Sequence, residues 1–579
     1  MKQLMTGNEA IARGAWEAGV HVATAYPGTP STEILENVAG YPEIRSQWSP
    51  NEKVALEVGI GASLAGARAL VAMKHVGVNV AADPLMTLAN TGINGGLVLV
   101  TADDPGMHSS QNEQDNRFFG RFAQVPVLEP SDSAEVLTYL AEAFAISEAF
   151  DTPVLFRETT RVAHSQSLVE TGQRREVELK EYDRNPAKYV MMPSNARPRH
   201  PVVEARRAKL EQFAEETFLN RIEWGDNSVG IITSGVAYQY VREVLPEASV
   251  LKLGLVWPLP EKMIRQFAAQ VGKLYVVEEL EPFFEDQLRS WGLEVTGKEL
   301  FPRVGELSPE IVGQAFGISL GDSAYDPAET PVRPPVLCPG CGHRGVFYVL
   351  GKLKLNVAGD IGCYTLGAAP PLTAMDTCIC MGSAIGISHG IELARGQEFM
   401  KKTVAVIGDS TFMHSGITGL ADAIFNGGSS TILILNNSTT AMTGHQNHPG
   451  SGKTLTGGEG LPVDLEALTR ALGVNRVRSV DAYDLKAVEA AVREETASDE
   501  LSVVILNRPC VLLPGCMPRG SVMVDQEICR SCGICGKLGC PAIVFVDKKP
   551  KIDLTLCNGC GLCVQVCPFG AIEEVTPGV

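Results

Sequence analysis

Eight cysteines near the carboxyl terminus constrain this chain more than any other feature. They fall in two runs, Cys529-x2-Cys532-x2-Cys535-x4-Cys540-Pro541 and Cys557-x2-Cys560-x2-Cys563-x3-Cys567-Pro568. Three closely spaced thiolates cap three corners of an iron–sulfur cubane. The fourth corner needs a thiolate from a distance, and the proline steers the chain toward it. In paired-cubane modules the fourth cysteine of each run ligates the other cluster. The spacing therefore predicts one [4Fe-4S] cluster on Cys529, Cys532, Cys535 and Cys567, and a second on Cys557, Cys560, Cys563 and Cys540. The additional residue before Cys540 makes an irregular loop and removes no ligand. Zinc is the lesser alternative, because zinc sites pair their cysteines across a longer gap. Such a module moves single electrons, and the rest of the chain must supply them.

The chain has 579 residues, enough for several domains with ample core. Its start, MKQLMTGNEAIARG, lacks an apolar export segment and reads directly as a helix. No stretch approaches the length of a membrane span. Fifteen cysteines without an export signal point to a reducing compartment and metal ligation rather than disulfides, hence to a cytoplasmic protein. The formal charge of −18 argues against a nucleic-acid partner.

Residues 1–190 alternate apolar strands with helices, a doubly wound α/β pattern of parallel strands. GVHVATAYPGTPSTEILENVA reads as strand, Pro-Gly turn and a helix opening at Ser31 or Thr32; ALVAMKH, LVLVTADD and PVLFRET are further buried strands. NEKVALEVGIGASLAGARA reads as a helix. Its Gly59-x-Gly61 neither closes a strand nor opens a helix, so small-residue packing explains it better than dinucleotide binding. Residues 191–226 turn charged and proline-bearing and read as a linker with one solvated helix. A second α/β unit spans 227–325, and DPAETPVRPP reads as a stiff linker. A third α/β domain covers 336–515, and the α+β cluster module covers 520–579.

In the third domain, the strand TVAVI ends at Gly408-Asp409-Ser410, and a second strand, TILIL, ends at Asn436-Asn437. Ligands collect at the carboxyl ends of parallel strands, so Asp409 and Asn437 reach one rim. A carboxylate, an amide carbonyl and a backbone oxygen from the next turn form a hard-oxygen set suited to Mg²⁺ and phosphate. An ordinary αβ turn with a capping Asp is the alternative. The spacing resembles the thiamine diphosphate motif, GDG followed by NN, with Ser410 where glycine is usual. That resemblance implies Mg²⁺ on Asp409, the Asn437 side chain and the Thr439 carbonyl. It also implies a glutamate from a separate pyrimidine-binding domain that exchanges a proton with the cofactor ring. Glu52, opening its helix after Asn51, fits that role, with Glu57 one turn later as the substitute. As a lone residue, Glu52 would read as a helix-dipole partner.

Further motifs narrow the resemblance: TyrProGlyThrPro (26–30), CysProGlyCysGlyHis (338–343), AspIleGlyCysTyrThr (360–365), MetAspThrCysIleCysMetGlySer (375–383) and AsnAsnSerThrThrAlaMetThrGly (436–444). With the cysteine-rich tail they resemble the 2-oxoacid:ferredoxin oxidoreductases, over essentially the whole chain. The domain order is similar to the indolepyruvate branch: pyrimidine domain, transketolase-C-like domain, diphosphate domain, ferredoxin-like tail. The resemblance implies that Thr29 faces the substrate carbonyl and that Cys338, Cys341, Cys363 and Cys510 hold a third [4Fe-4S] cluster. It implies a smaller beta subunit in αβ assemblies, an external ferredoxin, and coenzyme A as acyl acceptor. The expected reaction is oxidative decarboxylation of an aryl 2-oxoacid, with pyruvate or a branched-chain 2-oxoacid as the alternative substrate. His343, His414 and His445 are candidates around the pocket, while Cys378, Cys380 and Cys516 have no assigned part. A non-oxidative thiamine-dependent decarboxylase would leave the ligand-spaced cysteines idle, and an electron-transfer adaptor would leave Asp409 idle.

Overall fold

Which strands are buried on both faces decides this architecture. Ala69–Lys74 and Leu97–Asp103 are apolar runs with every residue buried, the mark of central strands in a parallel sheet covered by helices on both sides. The structure is a computed structural model describing residues 1–321, 331, 333–518 and 520–575. The chain divides into two units, Met1–Pro327 and Ala328–Val579. The proline-bearing segment 326–335 lies mostly outside the described residues.

In the first unit a seven-stranded sheet runs in the order Leu255–Trp257, Val127–Leu128, Val154–Thr159, Leu97–Asp103, Ala69–Lys74, Val22–Ala25, Arg45–Trp48. All neighbours are parallel except Leu255–Trp257, which adds as an antiparallel edge. The chain passes from Val22–Ala25 outward to Arg45–Trp48, then returns across it to Ala69–Lys74. Strand order therefore reverses between Val22–Ala25 and Ala69–Lys74, and a crevice opens at their carboxyl ends. A second sheet, ordered Lys273–Val277, Asp226–Ser234, Ala248–Leu253, Arg221–Glu223, is parallel except for its last strand. One hydrophobic core joins Val71 and Leu99 of the first sheet to Ile232, Leu251 and Phe267 of the second segment.

The charged stretch read as a linker carries a long helix, Pro193–Glu216, that is only partly solvated. Val203, Leu210 and Ala214 are buried along it. Arg206 is buried too, donating to the carbonyls of Asp151 and Ala89. Those oxygens lie at or near the ends of two helices, where carbonyls lack intrahelical donors and a guanidinium satisfies them. Its charge was legible in the sequence, its burial was not.

In the second unit five parallel strands run in the order Asn356–Ala358, Thr403–Gly408, Thr431–Asn436, Ser502–Asn507, Arg476–Asp481. The cysteine-rich tail adds two short antiparallel pairs, Ser521–Val524 with Ile572–Val575 and Ile543–Val546 with Lys549–Ile552. Its Leu538, Leu562 and Val566 share one core with Val404 and Leu433 of the sheet.

The helix Glu52–Leu64 rests on Ala69–Lys74 through Gly59, where an added Cβ would lie 2.3 Å from Val71 Cγ2. Gly61, two residues on, has no atom within 4 Å of such a Cβ. Gly59→Ala is expected to destabilise the protein by about 1–3 kcal/mol through overpacking. Gly61→Ala should leave stability unchanged or raise it by up to about 1 kcal/mol through helix propensity. Denaturant midpoints of the two variants against wild type check the contrast.

Candidate active site and cluster sites

In the first unit, the turn after Val22–Ala25 carries Thr29, half-buried, at the strand-order reversal. The Ser31 hydroxyl closes the turn by donating to the Gly28 carbonyl at 2.8 Å, and the next helix opens at Thr32. A Cβ on Gly28 would lie 3.0 Å from Lys74 Cβ, so the turn sits against the Lys74 stem. Lys74 is buried and donates to the Ser109 carbonyl. Burial pushes its pKa down to about 8 against the opposing pull of Asp104. His75 is fully buried with Nε2 3.2 Å from the Asn112 carbonyl, and burial together with Lys74 pushes it down to about 4. It is therefore neutral at physiological pH.

Glu52 stands at the first position of its helix, capped by Asn51, whose side chain accepts from Val54 N–H at 2.9 Å. The carboxyl is buried, 5% exposed, in the first turn of that helix. Gly77 leaves room for it: a Cβ there would be 2.8 Å from Glu52 Oε1. Glu57, in contrast, pairs with Lys53 on the solvent side. Glu158, unanticipated from the sequence, is fully buried with no partner on either carboxyl oxygen. Burial, reinforced by Glu33, raises its pKa well above the carboxylate range.

In the second unit, Gly408 ends its strand and Asp409 begins the following helix at once, continuing through a π-helical turn at Phe412–Gly416 into Ile417–Phe425. Such turns collect at functional sites. The Tyr364 ring closes on Gly408, where a Cβ would meet it at 2.6 Å. Asp409, 3% exposed, accepts from Ser438 N–H at 2.8 Å, and His448 Nε2 approaches the same oxygen at 3.2 Å. The Asn437 side chain accepts from Thr439 N–H at 3.2 Å, and its amide nitrogen lies 3.5 Å from His343 Nε2. Ser410 and Thr440 hydroxyls bond at 2.7 Å. The buried carboxylate, the amide oxygen and this row of hydroxyls at two strand ends fit a magnesium diphosphate. His448 and the fully buried Asp360 were missed in the sequence. Asp360 accepts from Ile361, Gly382 and Ala384 N–H and fixes the turn before its helix, and burial raises its pKa to about 6. Burial holds His343 at about 4 despite the Asp409 charge. His414 bonds Ser415, and His445 Nε2 lies 3.5 Å from Cys510 Sγ.

The tail holds two cavities. One, of about 20 Å³, is lined by Cys540, Cys557, Cys560 and Cys563. The other, also of about 20 Å³, is lined by Cys529, Cys532, Cys535 and Cys567. These are the crossed quartets read from spacing. In the longer loop before Cys540, Gly539 turns left-handed at φ 65° against Pro371. Among the described residues no three His, Cys, Asp or Glu side chains converge on a single ion; each quartet instead surrounds a space. Cys338, Cys341, Cys363 and Cys510 also gather, each within Coulomb range of at least one other. Burial, then neighbouring thiolates, push Cys341 up to about 12 and Cys363 to about 11. Cys341 and Cys363 so placed are protonated as free thiols at neutral pH and become thiolates only as ligands to a cationic centre. Cys516 neighbours Cys510, whereas Cys378 donates to the Asp360 carbonyl beside Cys380.

Three parts of the chain match known families. Residues 13–218 match the pyruvate flavodoxin/ferredoxin oxidoreductase thiamine diphosphate-binding family. Residues 360–506 match the C-terminal thiamine pyrophosphate-binding domain, and 550–573 the 4Fe-4S binding domain. The indolepyruvate oxidoreductase subunit IorA of Archaeoglobus fulgidus is 42% identical over 99% of this chain and 97% of its own length. This chain belongs to the IorA family. The IorA subunits of Pyrococcus horikoshii (41% identity, 100% of this chain and 97% of that one) and Methanothermobacter marburgensis (41%, 98% and 97%) are similar to the same extent. A member of this family is an oxidoreductase acting on the oxo group of 2-oxoacids with an iron–sulfur acceptor, and it uses thiamine diphosphate and [4Fe-4S] clusters. Among the described residues no helix is long and apolar enough to cross a membrane.

In this IorA-family chain Lys74 provides a pH test. Its folded pKa near 8 lies below the ordinary lysine value of 10.5, so between the two the unfolded chain holds a proton that the folded chain has released. Stability from this group therefore rises with pH across that window. Wild-type thermal midpoints should rise relative to Lys74→Met between about pH 8 and 10; parallel curves would contradict the assignment.

Proposed function

We propose that this chain is the catalytic subunit for CoA-dependent oxidative decarboxylation of aryl 2-oxoacids such as indolepyruvate. The 2-oxoacid anion loses CO₂, the acyl carbon is oxidised by two electrons and bonds to the CoA sulfur, whose thiol proton is released, and two ferredoxins are each reduced by one electron. Bound thiamine diphosphate supplies the electron sink for the decarboxylation. In this reading Asp409, the Asn437 side chain and the Thr439 carbonyl hold Mg²⁺ and the diphosphate, with Gly408 and Ser410 lining the approach. Glu52 exchanges a proton with the pyrimidine ring, and Thr29 meets the substrate carbonyl.

One observation supports the oxidative reading above the rest. Cys510 N–H donates to the Asn437 carbonyl at 2.9 Å, so a cysteine of the sheet-domain quartet is bonded directly to a diphosphate-site residue. We assign a third cluster to Cys338, Cys341, Cys363 and Cys510, bordering the site where electrons are released. The tail quartets then carry them onward. The names of the relatives support the aryl substrate and a second, partner subunit, and the tail supports a ferredoxin acceptor.

Purified anaerobically with its cognate subunit, the protein should reduce viologen with indolepyruvate or phenylpyruvate only when CoA is present. A kcat/KM at least about tenfold above that for pyruvate corresponds to about 1.4 kcal/mol of discrimination. Preference for pyruvate, or dye reduction indifferent to CoA, would refute the substrate or the acceptor respectively.

A further inference from the structure

Arg344 lies in the first turn of the helix Gly342–Leu353 and is 2% exposed. One arm of its guanidinium donates to the Leu538 carbonyl at 2.8 Å, in the tail between Cys535 and Cys540. The other donates to the carbonyls of Leu337 and Cys338, in the loop that carries Cys338 and Cys341. Its Nε has no partner. Gly539 packs beside it, where a Cβ would lie 3.3 Å from Nη1.

Carbonyls satisfy N–H groups but do not neutralise a charge, and a buried cation needs an anionic partner. The strongest electrostatic neighbours of Arg344 are Cys540, Cys341, Cys560 and Cys338, and no carboxylate ranks among them; as cluster ligands these four are thiolates. Two belong to the sheet-domain quartet and two to a tail quartet. A cubane with four thiolates is net anionic and becomes more so on reduction, so a cation beside it stabilises the reduced form more than the oxidised one. No thiol of the Cys529, Cys532, Cys535, Cys567 quartet is among these neighbours.

We propose that Arg344 is an electrostatic bridge between two clusters, one on Cys338, Cys341, Cys363 and Cys510 and one on Cys540, Cys557, Cys560 and Cys563, and that its charge raises the reduction potential of both. Arg344 is a positioning residue, acting on electron transfer through the clusters. The inference rests on reading the Cys338 quartet as a cluster site.

The test compares Arg344→Gln, which keeps N–H donors and loses the charge, with Arg344→Lys, which keeps the charge. Cluster potentials are read by EPR-monitored redox titration of the anaerobic full-length protein with its partner subunit. In Arg344→Gln the reduced-to-oxidised ratio of the two flanking clusters should fall about tenfold at fixed applied potential, a midpoint lower by about 59 mV. The Cys529 cluster should move less than about twofold, and Arg344→Lys should leave all three within about threefold of wild type. Cubanes lost from Arg344→Gln alone, with Arg344→Lys unchanged, would also show that the charge is required. Equal potentials in both variants, an equal shift of all three clusters, or loss of cubanes from both alike would overturn the proposal and leave Arg344 a hydrogen-bonded staple. Iron for only two cubanes in the wild type would overturn the underlying reading of the Cys338 site, a result seen before any variant is made.

Discussion

Burial of clustered cysteines, reinforced by their neighbouring sulfurs, is the constraint on which the second unit depends. Three cysteine quartets are gathered there, and Cys535 and Cys563 are packed into the same apolar core as Leu538, Leu562 and Val566. Burial and neighbouring sulfurs push Cys563 up to about 12. A chain with these groups so placed gains stability from an iron–sulfur core that takes thiolates as ligands, in the way metal binding becomes folding free energy in small metallodomains. The tail therefore packs against the sheet around its cofactors. In the proposed reading Arg344 fits the same logic, the net charge of the clusters being the partner that its burial demands.

Each unit presents its chemistry at the carboxyl ends of parallel strands. In the first, Thr29 follows one and Lys74 ends the other of the two strands between which the order reverses, and Glu52 follows the edge strand Arg45–Trp48. In the second, Asp409 and Asn437 follow adjacent strands and are drawn together by Ser438. Glycine at three positions makes this possible. Gly77 leaves room for the Glu52 carboxyl, Gly408 admits the Tyr364 ring, and Gly59 lets the Glu52 helix settle on its sheet.

The sequence revealed what is local. The grouping of the tail cysteines was legible because ligand spacing within a run is set by the cubane, and the crossing of the fourth cysteine belongs to the paired-cubane pattern. Asp409 and Asn437 were legible because apolar runs of strand length end on them. Cys363 and Cys510 stand alone in sequence, and only resemblance joined them to Cys338. His448, Lys74 and Arg344 were not legible. Their partners are 39, 35 and 194 residues away respectively, and no periodicity records such contacts. Arg206 failed for a related reason: in a charged stretch nothing marks the one arginine that turns inward to helix-end carbonyls.

The central claim is that electrons leave the diphosphate site through the quartet that includes Cys363. Freeze-quench EPR of Cys363→Ser, mixed anaerobically with an aryl 2-oxoacid and CoA, tests it most directly. The account predicts protein that has lost one cubane, keeps thiamine diphosphate and both tail cubanes, and reduces those tail cubanes at least about a hundredfold more slowly than wild type, a barrier increase of about 2.7 kcal/mol. A full complement of cubanes, or tail clusters reduced at the wild-type rate, would contradict it.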